Sequence, residues 1–141
     1  MDEKPLPKLP LAPPWWRLSL AFLIAPILPA LLFAEWVWRE SASTATLFDR
    51  FMLVSLFGAY PPVIICGIPL VIVFRKRVKP ALPAIVLAGG LIASLPWWII
   101  AIVGDSGIID SILETALPAF VLGLLGGAIF FLVGVAGYRE H

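Results

Sequence analysis

Four stretches of the 141-residue chain contain no Asp, Glu, Lys or Arg: Leu18 to Ala34, Phe51 to Phe74, Ala81 to Gly104 and Thr115 to Tyr138. The last three run for 24 residues each. As α-helix, rising about 1.5 Å per residue, such a run is roughly 36 Å long, enough to cross a hydrocarbon core of about 30 Å with some tilt. The pattern predicts an all-α polytopic integral membrane protein, a four-transmembrane-helix bundle with spans at 18–38, 51–74, 81–103 and 116–138. A proline-rich basic tail at 1–17 precedes the bundle, and residues 139–141 follow it. Trp15 and Trp16 mark one interface of the first helix and Trp36 and Trp38 the other, while Pro80 or Ala81 opens the third.

Composition agrees, with 61% hydrophobic residues, 13% charged residues and a mean hydropathy of +1.02, values outside the soluble globular range. The residues between the runs are too few for a separate soluble domain, and a net charge of +1 gives no reason to expect nucleic acid as a partner. The bilayer is the first partner implied.

Basic residues in short loops set orientation, because their translocation is disfavoured. With four spans, one side holds Lys4, Lys8, Arg17, Arg75, Lys76, Arg77, Lys79 and Arg139, eight of the ten basic residues. The other side holds only Arg39 and Arg50, together with Glu35, Glu40, Asp49, Asp105, Asp110 and Glu114. Both termini are therefore expected in the cytoplasm, and the short loops lean towards a bacterial inner membrane. Arg75, Lys76, Arg77 and Lys79 act as topology determinants or as an anionic-lipid site, at roughly 1 kcal/mol per basic residue.

Prolines sort into three roles. Pro5, Pro7, Pro10, Pro13 and Pro14 make the tail extended, with a loose PxxP pattern that nearly any proline-rich tail satisfies. Pro80, Pro83 and Pro118 fall near helix starts, where a missing N–H costs little. Pro26, Pro29, Pro61, Pro62, Pro69 and Pro96 lie within spans, where each frees a carbonyl and kinks its helix. The Tyr60-Pro61-Pro62 step with Gly67 and Pro69 is the most distinctive. It reads either as ordinary packing or, with the Tyr60 hydroxyl at the same depth, as the wall of a transport path.

Small residues recur at four-residue spacing in the last two spans: Ala84 and Ala88, Gly89 and Ala93, Gly90 and Ser94, then Ala119, Gly123 and Gly127, with Gly126, Gly134 and Gly137 nearby. Such ridges let helix backbones approach closely. The third span packing on the fourth is the simpler use, and a face for another subunit or a second copy is the alternative. Residues 81–87 and 116–122 agree at six of seven positions, but the two segments enter the membrane from opposite sides and the match is read as compositional coincidence.

Chemistry-bearing residues are scarce. The only histidine is His141, so the membrane interior holds no imidazole for haem or metal, and no cofactor is expected. Cys66 has no partner for an intramolecular disulfide. Ser19, Ser55 and Ser94 have no His or Lys at membrane depth to activate them, so the chain is not expected to be an enzyme. No ionisable group occupies the middle of a span, which counts against a proton-coupled transporter or a voltage sensor. Glu35 is expected to pair with Arg39 at i+4 at the interface.

These readings lead to a small non-catalytic membrane protein, an accessory, assembly or interaction subunit that binds another membrane protein or itself. A small oligomeric transporter or pore near Tyr60, Pro61, Pro62 and Gly67 is the alternative, and a membrane immunity-type protein is a further one. Cleavage after the small residues Ser43-Thr44-Ala45 is a rival for the first span, though its apolar run exceeds the 7–15 residues usual for a signal peptide. Mass spectrometry of the purified protein should find an intact amino terminus; a start at Thr46 would remove the first span.

Overall fold

The structure is a computed structural model describing residues 13–37, 39, 44–77, 81–104, 110 and 112–136, with residues 74–77 and 112 described by backbone alone. The tail residues Lys4, Pro5, Pro7, Lys8 and Pro10, the loop residues Trp38, Glu40, Lys79, Pro80 and Asp105, and the terminal Gly137, Tyr138, Arg139 and His141 lie outside the described residues.

Among the described residues the regular elements are all helical. Four helices are long and apolar enough to cross a membrane: Trp15–Val37, Leu47–Val73, Leu82–Val103 and Leu113–Val135. The architecture is thus compatible with a transmembrane bundle.

The boundaries follow local chemistry that the charge-free runs do not report. The first helix begins at Trp15, three positions before Leu18, because the extended Pro14 caps it: the Arg17 and Leu18 amides donate to the Pro14 carbonyl at 3.1 and 3.3 Å. The second begins at Leu47 behind a capping box. The Asp49 amide donates to Thr46 Oγ1 at 3.3 Å, and the Thr46 amide donates to Asp49 Oδ2 at 3.0 Å, satisfying two donors that a helix start leaves unpaired. It continues to Arg77 rather than Phe74. The third, Leu82–Val103, closely follows its expected limits. The described part of the fourth passes through a π-helical turn at Ile112–Ala116 and ends at Val135, three residues short of Tyr138, where Ala136 turns to an extended conformation.

Prolines account for the interruptions. The first helix divides into α1 (Trp15–Ile24) and α2 (Ile27–Val37) at an Ala25-Pro26 turn; Pro26 removes the amide that the Phe22 carbonyl would accept from. The second helix comprises α3 (Leu47–Leu53), a π-helical stretch Val54–Ala59, the short α4 (Tyr60–Pro62), a second π-helical stretch Val63–Gly67 and α5 (Ile68–Arg77). Pro61 and Pro62 delete two consecutive donors, and widened π turns are a common way for a membrane helix to absorb such a loss. The third helix, α6 (Leu82–Val103), runs through Pro96, with Pro83 in its first turn. The fourth contains α7 (Leu117–Phe130).

The centre of the bundle is the contact of α6 with α7. A methyl group built on Gly89 would lie 2.6 Å from the Gly123 carbonyl oxygen and 2.8 Å from Gly127 Cα. On Gly123 it would lie 2.5 Å from the Gly89 oxygen, and on Gly127 2.7 Å from the Ile85 oxygen. At Gly90 the obstacles are Leu124 Cδ2 at 2.8 Å and Phe120 Cε2 at 2.9 Å. Ala119 is buried in the same ridge. Gly89 of the third helix and Gly123 and Gly127 of the fourth therefore meet within one chain.

The other flank of the fourth helix receives the first. Gly126 faces the Ala25 carbonyl and Pro29 Cγ, and Gly134 faces the Ala21 methyl at 3.1 Å. Phe22 meets Phe130 edge-on with ring centres 4.8 Å apart. Ala30, Phe33, Ala34, Val54 and Ala119 form a buried cluster, closed by Trp97 against the Phe33 ring.

Gly123→Ala and Gly127→Ala should each destabilise the protein by about 1–3 kcal/mol, the usual overpacking cost, since backbone atoms block the added methyl. Gly126→Ala, whose nearest neighbour is the Pro29 ring carbon at 3.3 Å, should change stability by less than about 1 kcal/mol. Unfolding in detergent micelles measures both, and equal losses at Gly123 and Gly126 would contradict the packing described.

Candidate functional site

Arg17 ties the beginning of the bundle to its end. From the first turn of α1 its Nε donates to the Val133 carbonyl at 2.9 Å and its Nη2 to the Ala136 carbonyl at 2.8 Å. The last carbonyls of a helix lack amide partners and carry the negative end of its dipole, so a half-buried guanidinium is well matched to them. Sequence reading treats Arg17 as one charge among those that set topology. Its capping role needs the fourth helix to end at Val135, which composition does not indicate.

Tyr60 lies where the first two helices meet. Its hydroxyl donates to the Leu23 carbonyl at 2.9 Å, in the last turn of α1 before the Ala25-Pro26 break. A methyl on Gly67 would lie 2.8 Å from Phe22 Cε1, so the bare Gly67 backbone makes room for the Phe22 ring of the first helix. Of the four residues that mark a possible path, Tyr60 and Gly67 thus contact the first helix, and Pro61 and Pro62 are half-buried and buried.

Beyond that junction the two helices part. α5 packs closely only on the π-helical turn leading into it, whereas α1 packs on the fourth helix. Between them lies a cleft of about 270 Å³ lined by Trp15, Leu18, Ser19, Phe22, Ile64, Ile68 and Val71. The one hydroxyl in this lining, on Ser19, donates to the Trp15 carbonyl at 3.0 Å, so the walls are functionally apolar.

Other polar groups are dispersed. Ser94 donates to the Leu91 carbonyl at 3.0 Å. Ser55 is buried, its hydroxyl without a hydrogen-bond partner among the described residues. Glu35 and Arg39 do not share a helix, because α2 ends at Val37 and the Arg39 amide turns back to the Trp36 carbonyl at 3.4 Å. Cys66 is half-buried with a free thiol. Among the described residues no three of His, Cys, Asp and Glu gather in one place. The backbone of Arg75, Lys76 and Arg77 forms the last turn of α5; their side chains lie outside the description.

The ridge of the first helix, Ala21 and Ala25 then Ala30 and Ala34, all buried, is a contact surface that the sequence reading misses. Its four-residue spacing of small residues is the signal that finds it.

No family model matches the chain, and no curated protein and no solved structure matches it.

Arg17→Met should lower stability by about 1.5–3 kcal/mol, the scale of hydrogen bonds to a charged group. Tyr60→Phe should cost only about 0.6–1.7 kcal/mol, the range for interhelical hydrogen bonds in membranes. Arg17→Lys should not restore the loss, since one ammonium does not reproduce the fork that spans two carbonyls. Unfolding of each purified variant in micelles tests the ordering, and a Tyr60→Phe loss exceeding that of Arg17→Met would contradict it.

Proposed function

We propose that the protein is a small non-catalytic integral membrane protein that works by packing, as an accessory, assembly or interaction subunit of a membrane complex. It sits in a bacterial inner membrane with both termini in the cytoplasm and with proline-kinked helices. The observation that carries the reading is the unequal use of surfaces. The first, third and fourth helices interlock at small-residue distances, while α5 has close neighbours only along its own helix.

The second half of the second helix presents Ile65, which is 70% exposed and lies in the π-helical stretch before α5, with Ile72 and Val73 of α5 also exposed. A helix half with few close intramolecular neighbours in an otherwise interlocked bundle suits a partner helix, because association in lipid depends on packing rather than on hydrophobic exclusion. The glycine ridges are less suited to that use, being filled from within the chain. A transport path draws less support, since the Tyr60 hydroxyl, Pro62 and Gly67 all engage the first helix or the interior.

Native mass spectrometry of the tagged protein, released gently from its own membrane, should show a defined heteromeric partner. Ile65→Trp combined with Val73→Trp should remove that partner without lowering the unfolding temperature. A partner-free monomer that moves ions or solutes in liposomes would overturn the proposal.

A further inference from the structure

We propose that the cleft between α1 and α5 seats one acyl chain of an anionic phospholipid, with the phosphate head group held at the basic last turn of α5. Shape, polarity and charge lead to this occupant.

The cleft runs between the first and second helices and is partly open. The Tyr60 hydroxyl on the Leu23 carbonyl and the close approach of Phe22 to Gly67 pin the two helices together at depth. From there towards Trp15 and Val71, α1 stays with the fourth helix while α5 does not follow. A volume of about 270 Å³ lies just below the roughly 300–1,000 Å³ of ordinary small-molecule pockets. A narrow apolar cleft of this size suits a stretch of a single hydrocarbon chain.

The lining accepts a chain and little else. Six of the seven residues are apolar, and the Ser19 hydroxyl is already bonded to its own helix.

Charge selects the lipid class. Ile64, Ile68 and Val71 form the α5 wall, and the same stripe continues in register to position 75, about 6 Å further along the axis. Arg75, Lys76 and Arg77 thus close the helix that forms this wall, on the side proposed as cytoplasmic. Neither wall carries an acid: residues 13–24 and 60–77 contain no Asp or Glu. Arg17 adds a positive charge at the same end of the bundle, fixed on the Val133 and Ala136 carbonyls. A lipid with its tail in the cleft has its phosphate at this basic end.

The inference concerns the cleft between α1 and α5 and stands apart from the partner proposed for the exposed Ile65, Ile72 and Val73. The test titrates the purified full chain in detergent with phosphatidylglycerol and with phosphatidylcholine of identical acyl chains, counting retained lipid by native mass spectrometry. Phosphatidylglycerol should be retained at one copy and phosphatidylcholine at least about fivefold more weakly, the scale of a single basic contact. Glycerol phosphate without acyl chains should not be retained. Ile68→Trp, which fills the cleft, should abolish retention, and Arg75→Gln with Arg77→Gln should bring phosphatidylglycerol to the phosphatidylcholine level.

A second measurement needs no variant. Phosphatidylglycerol bearing a photoreactive diazirine in its acyl chain should label the wild-type segments 15–22 and 64–71. Equal retention of the two lipids, retention undiminished by Ile68→Trp, or labelling spread evenly over the four helices would overturn the proposal.

Discussion

In lipid, two helices gain little from hiding apolar surface from each other, so their association depends on how closely the backbones approach. The contact of α6 with α7 sets that approach in this bundle. Gly89 and Gly123 each leave room for the other's carbonyl, and Gly127 leaves room for that of Ile85. The arrangement of the other helices builds on this pair. With one side of the fourth helix occupied by α6, the first helix uses the other, where Gly126 and Gly134 receive Ala25 and Ala21.

Hydrogen bonding completes what packing starts. Breaks in a membrane helix expose carbonyls that no water satisfies, so each needs a partner from within the protein. Tyr60 reaches one at Leu23 and Arg17 reaches two at the end of the fourth helix. Read from the chain alone, Tyr60 is an isolated hydroxyl beside paired prolines and Arg17 is one of the charges that set topology. In the structure they join the first helix to its neighbours at separate points, and the cleft beside α5 opens beyond one of them.

The number, type and approximate limits of the long helices were legible because charge is excluded so thoroughly from the four runs. The limits shift by three or four residues wherever local bonding outweighs hydropathy. Thr46 and Asp49 start the second helix earlier because a capping box stabilises polar residues at a helix start, and the fourth helix ends before Tyr138 because Ala136 leaves helical geometry. The glycine ridges were visible as spacing, but spacing does not say whether the complementary surface belongs to the same chain. The alanine ridge of the first helix has the same spacing within each half, but Pro26 and Pro29 interrupt it between Ala25 and Ala30. Arg17 and the cleft were beyond reach, since both arise from elements more than forty positions apart.

The central claim is that the glycine ridges close on each other within one chain. It is tested most directly by a cysteine pair, Gly90→Cys with Leu124→Cys, in a background where Cys66 is replaced by alanine. These positions face one another across the contact, with Leu124 Cδ2 2.8 Å from a methyl built on Gly90. Oxidation in native membranes followed by denaturing electrophoresis should give an internally cross-linked monomer at every expression level. A cross-linked dimer, or a pair that stays reduced while cysteines on unrelated faces react, would contradict the account.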